Sequence, residues 1–145
     1  MTTIDMAVAH PGYAGLRWFR RFVAAGFVLN AAFFLPGLFA PRMLEGWADL
    51  GITNTVHWLQ NVSLLLIIVS LLYVPVIQDP FRYLFVTFLV VGGRFAAGTL
   101  FLFGVLFMDY PEGMRILAWS DIALSLIQAA LLYRMLREGD PRAGD

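Results

Sequence analysis

The chain has no cysteine and no lysine, and only two histidines. Without thiols it makes no disulfide, iron–sulfur cluster, thiolate metal site or CxxCH haem attachment, and it runs no dithiol chemistry of its own. Its basic residues are all arginine, and they balance the acidic ones at a formal net charge of zero. A nucleic-acid partner therefore has no electrostatic footprint to bind. Charged residues make up only 14% of the sequence. Internal repeats, low-complexity tracts and a soluble domain are also missing. What fills the 145 residues is apolar: 60% are hydrophobic. A soluble domain of this length could not hide so much apolar surface, so lipid must solvate part of it.

A helix needs about 20 apolar residues to cross the hydrocarbon core. Four segments qualify, over residues 18–40, 56–77, 83–108 and 116–136. The fold class expected is all-α: one integral membrane domain over 1–145, a four-helix transmembrane bundle running up-down-up-down, with polar tails at 1–16 and 139–145. The first apolar run follows Arg17, Arg20 and Arg21 and ends in Phe39-Ala40-Pro41, not a small-residue cleavage site, so it reads as an uncleaved span. Asp79-Pro80 predicts an N-cap and first helical residue for the third span. Residues 109–113 form another turn. With the N-terminus inside, Arg17, Arg20, Arg21, Arg82, Arg134, Arg137 and Arg142 are cytoplasmic and only Arg42 and Arg115 lie outside, so both termini are expected in the cytoplasm. Trp47, Trp58, Trp119 and Tyr110 then form an outer aromatic belt, and Trp18, Tyr73, Tyr83 and Tyr133 an inner one. Between the first two spans, Met43, Leu44, Trp47 and Leu50 recur at helical spacing and predict a short interfacial helix from Pro41 to Gly51.

Polar residues inside a span need partners. Asp121, Ser125 and Gln128 share one face of the fourth span, and Asn54, His57 and Asn61 one face of the second. Gly26, Asn30 and Gly37 share a face of the first, and Thr87, Arg94 and Gly98 one of the third. Counted from the outer ends at 1.5 Å per residue, Asn61 and Asp121 lie roughly 9 Å deep and Asn30, Arg94 and Gln128 roughly 15–20 Å. The pattern predicts a blind polar pocket opening outward. Gly92, Gly93, Ala97 and Gly98 around Arg94 supply a small-residue packing face.

Arg94 is the principal functional clue, because a cation at mid-membrane depth is costly. Two roles fit it. It closes the bundle by pairing with Asp121 and the amides, or it binds an anionic or carbonyl-bearing group such as a quinone head, a lipid phosphate or a haem propionate. Side chains lean toward their helix N-terminus, so Arg94 leans inward and Asp121 outward, and a direct bridge needs the arginine to extend back. Two axial histidines for one haem are not available, since His10 and His57 lie on opposite sides. A metal held by His57, Asp121 and Asn61 would be short of good ligands. No nucleophile–base pair stands out.

The arginine-led entry at Arg17 to Arg21, Gly26 within the first span and the Asp79-Pro80 start of the third give the chain an outline similar to the small DoxX-like inner-membrane proteins. It departs from them at the end of the first span, where Phe34-Leu35-Pro36-Gly37-Leu38-Phe39-Ala40-Pro41-Arg42 carries no lysine. The resemblance implies a bacterial inner membrane and association with quinone-linked or other respiratory complexes; it transfers no catalytic residue. The function expected first is a non-catalytic accessory or anchor subunit of a larger, electron-transferring membrane complex, with lipid and other membrane subunits or further copies of itself as partners. The alternatives are a quinone-, lipid- or small-molecule-binding protein or quinone-linked oxidoreductase component using the pocket, and a small transporter.

Overall fold

Backbone polar groups in hydrocarbon must be satisfied within the protein, which leaves helices as the way for such segments to fold. The computed structural model describes residues 13–50 and 56–141, and they are all-helical. His10, Gly51, Asn54 and Arg142, and the tail residues 1–12 and 142–145, lie outside the described residues. The elements are α1 (Ala14–Phe39), α2 (Pro41–Ala48), α3 (Val56–Ser70), α4 (Tyr73–Gln78), α5 (Leu84–Phe107) and α6 (Gly113–Glu138). Helix α1, α3 and α4 taken together from His57 to Gln78, α5 and α6 are each long and apolar enough to cross a membrane. The chain is an integral membrane protein built as a helical bundle.

Helix α1 starts about a turn earlier than expected, so Arg17 joins Arg20 and Arg21 on it. Arg20 uses that position: its Nε donates to the Ile77 carbonyl near the end of α4, where helix carbonyls lack intrahelical partners. The second span is not continuous. Pro75 has no N–H, and its ring crowds the carbonyl of Leu71, which breaks the helix ahead of it. The chain there tightens into i→i+3 bonds, Leu72 N–H to Val69 O at 3.0 Å and Val74 N–H to Leu71 O at 3.1 Å. Ser70 adds to the bend by donating to the Leu66 carbonyl at 2.7 Å. The start of the third span also differs. Asp79 Oδ1 accepts the Arg82 N–H at 3.0 Å, as an N-cap would, but it closes a turn over Pro80–Tyr83 and α5 begins only at Leu84.

Helix α2 carries Pro41 at its N-terminus, as expected, but ends at Ala48 with Asp49 in the left-handed region. Its apolar stripe is divided. Leu44 and Leu50 are buried with Leu59, whereas Met43 and Trp47 are exposed. This cluster, flanked by Phe33, Met114 and Leu117, fills the α2 end of the bundle. A larger one, including Leu16, Phe19, Val23, Val76, Leu132 and Met135, fills the opposite end. There the first and last helices meet: both carboxylate oxygens of Glu138 accept the Gly15 N–H, at 2.7 and 3.0 Å.

The spans form a ring in chain order. Helix α1 packs on α3 and on α6, and α5 packs most extensively on α6. The fourth side is incomplete. The second span meets α5 through α4, while α3 scarcely touches it.

Candidate functional site

Arg94 lies near the middle of α5 with its side chain only 3% exposed. Its guanidinium is met from every side. Nε donates to the Tyr73 hydroxyl at 3.1 Å, Nη2 to Asn30 Oδ1 at 2.6 Å and to the Gly26 carbonyl at 3.4 Å. Nη1 lies 3.4 Å from Asp121 Oδ1. The arginine therefore reaches Asp121 directly. Asn30 in turn donates through Nδ2 to Ser70 Oγ at 3.1 Å, which fastens the cluster to the bend in the second span.

Its place in the span predicts that Tyr73 lies in the inner aromatic belt. The structure buries it, 5% exposed, with its ring 5.6 Å from the guanidinium carbon. The reason is local. As Cβ bonds tilt toward helix N-termini, Tyr73 at the start of α4 leans toward the bundle centre and Arg94 leans toward Tyr73. The other belt aromatics that are described, Trp18, Trp47, Trp58, Tyr83, Tyr110, Trp119 and Tyr133, are all exposed.

Gly26 makes the crowding possible. A Cβ there would stand 3.1 Å from Gln128 Nε2, 3.5 Å from Arg94 Nη2 and 3.6 Å from Tyr73 Cε1. Gln128 is fully buried beside it, donating to the Phe22 carbonyl at 3.3 Å. Its Oε1 has no donor among the described residues. Ser125 lies on the same buried face of α6 but donates to the Ile122 carbonyl of its own helix.

His57 and Asn61 stand apart from this network, and both are exposed. The inward face of α3 is set instead by Leu59, Ser63 and Ser70, all buried. Asn61 follows Leu59 by two residues, about 200° around the helix, and so points away. Among the described residues, no three histidine or carboxylate side chains converge as metal ligands would. The small-residue run also divides. A Cβ on Gly98 would lie 2.9 Å from Ile122 Cγ1 and 3.0 Å from the Ala118 carbonyl, so this glycine sets the approach of α5 to α6. Ala97 is half-buried, while Gly92 and Gly93 face open space.

Over the cluster lies a cavity of about 320 Å³. Its floor is polar, formed by Asn30, Ser70, Tyr73, Arg94 and Asp121, and its walls are apolar, with the rings of Phe33, Phe34 and Phe101 among them. Such a combination, few polar groups in an apolar concavity of this size, is the usual make-up of a small-molecule site. The outward pocket expected from polar residue depth would open at the α2 end, and the cavity lining reaches that end through Phe33 and Leu117. Leu44, Leu50 and Leu59 pack that end. The cavity opens sideways. Val69 and Leu72 on one side and Leu89 and Gly93 on the other line it and are exposed, at the seam where α3 and α5 fail to pack. Comparison with known protein families, with curated proteins and with solved structures gave no match.

Proposed function

We propose that this protein binds an amphipathic small molecule of the membrane, with its polar head on the Arg94–Asp121 cluster and its apolar body along the cavity walls. The cavity carries this reading. Structural closure of a bundle by an ion pair needs only the pair, whereas here the pair sits beneath about 320 Å³ of space reached from the seam between the second and third spans. Quinones and lipids are the candidate classes. The bundle runs up-down-up-down with both termini cytoplasmic, a reading supported by the arginine excess at the Gly15–Glu138 end. The resemblance to DoxX-like proteins supports a bacterial inner membrane.

The second reading, an accessory or anchor subunit of a larger electron-transferring complex, draws on a different observation. Gly92 and Ala96 lie exposed on α5, and none of the described residues stands within 4 Å of where a Gly92 side chain would begin. Small residues left uncovered in a span suit a close helix–helix contact.

Gentle-detergent purification from the native membrane separates the two, with mass spectrometry of extracted small molecules and of co-purifying proteins. A defined amphiphile retained by the wild type and lost from a folded Arg94→Met variant is the expected result. Stoichiometric partner subunits with an empty cavity would replace the binder with the subunit.

A further inference from the structure

The nature of the polar head follows from which half of the ion pair faces the cavity, given the binding role proposed above. Arg94 is almost wholly covered, and its Nε and Nη2 donors are taken by Tyr73, Asn30 and Gly26. Asp121 is the open partner, with its side chain 25% exposed. Its Oδ1 lies 3.4 Å from the guanidinium Nη1. A ligand head therefore meets a carboxylate first, with the arginine behind it. A carboxylate accepts and does not donate. An anionic head would be repelled by Asp121, and a carbonyl could accept from the Tyr73 hydroxyl but would bring no donor to the Asp121 carboxylate. The pair is also balanced in charge, so it offers no net attraction for a fully charged group.

We infer that the ligand is a neutral, lipid-soluble alcohol, whose hydroxyl donates to Asp121 and whose hydrocarbon body leaves through the seam between the second and third spans. The Tyr73 hydroxyl fits the other half of such a bond. Its oxygen accepts from Arg94 Nε, which leaves its proton for the ligand oxygen. The seam supplies the route, because Gly93 at its edge lies in the tenth position of the 24-residue α5, level with hydrocarbon and not with headgroups. The phenylalanine rings on the walls suit a flat body, so the alcohol arises either as a ring hydroxyl, such as a quinol, or as an aliphatic isoprenoid or sterol alcohol.

The test uses the full chain in lipid nanodiscs with four probes of similar bulk: decylbenzoquinol kept reduced, decylbenzoquinone, geranylgeraniol and oleate. Native mass spectrometry reads the bound fraction. Wild-type protein should retain one or both alcohols and discriminate by about tenfold or more against the quinone and oleate, as loss of a charge-assisted hydrogen bond demands. The quinol and geranylgeraniol arms separate ring from aliphatic alcohols. Asp121→Asn should reverse the preference, weakening the alcohol by about tenfold and admitting oleate, because the Arg94 charge is no longer balanced. Preference of the wild type for quinone or oleate, or unaltered alcohol binding by folded Asp121→Asn, would overturn the inference while leaving a binding protein. Retention of no probe by folded wild-type protein would sink the binding role itself.

Discussion

Removing Arg94 should damage the bundle less when its partner is removed with it. Arg94→Met keeps most of the length and volume of the side chain but deletes the bonds to Tyr73, Asn30 and Gly26 and the contact with Asp121. Two charges 3.4 Å apart attract by about 5 kcal/mol at an effective dielectric of 20. Exposure of Asp121 to the cavity lowers that value, and polar couplings between membrane helices average only about 0.6 kcal/mol, because the unfolded chain in lipid also finds partners. The dominant cost is then the carboxylate left without its cation, and breaking a buried pair from one side costs about 3–5 kcal/mol. Arg94→Met alone is expected to lose about 3 kcal/mol, toward the low end of that range. Adding Asp121→Asn removes the stranded charge and should return about 2 kcal/mol. Reversible unfolding in mixed micelles, followed by circular dichroism and analysed as a double-mutant cycle, measures the coupling. A double variant as unstable as Arg94→Met, or worse, would refute the reasoning and assign the stability to the hydrogen bonds instead of the ion pair.

Other changes probe separate parts of the structure. Tyr73→Phe keeps the ring beside the guanidinium but removes the acceptor of Arg94 Nε, and should cost about 1 kcal/mol in the same unfolding assay. Gly98→Ala drives a methyl against the backbone of α6 and should destabilise by about 1–3 kcal/mol, whereas Gly92→Ala, facing open space, should gain up to about 1 kcal/mol from helix propensity. Gly93→Leu should raise the unfolding midpoint modestly for the same reason and slow ligand exchange by narrowing the seam; exchange at the wild-type rate would place the entrance elsewhere. A fluorescent protein fused after Asp145 should fluoresce, and a periplasmic phosphatase fused there should stay inactive, if the C-terminus is cytoplasmic.

Much of this was legible in the sequence, and the limits have a common cause. Span lengths, Arg94 and the buried face bearing Ser125 and Gln128 could be read because apolar length and rare polar groups are strong signals in lipid. Rotational phase could not. A soluble helix declares its inward face by hydrophobic period, but α3 scatters its polar residues around an otherwise apolar helix, so Asn61 and His57 drew the phase toward themselves while Ser63 and Ser70 in fact face inward. Tyr73 escaped for a related reason: near a span end a tyrosine fits a headgroup belt equally well. Pro75 lay unread inside the span expected over 56–77, and its consequence, a bend that brings Ser70 to Asn30, depends on the neighbouring helix. The glycines beside Arg94 were alike on paper. Only the placement of α6 distinguishes Gly98, in contact, from Gly92 and Gly93, at open space.

The bond between Gly15 and Glu138 spans 123 residues of sequence. A ribosome releases Gly15 long before it has made Glu138, so the first helix must enter the membrane with that N–H unanswered by its final partner. The acceptor arrives with the last turn of the last helix. The final clasp between the first and fourth spans is therefore a late event of biosynthesis, and a nascent chain halted before Glu138 would rely on the Gln128–Phe22 bond and side-chain packing to hold the two together.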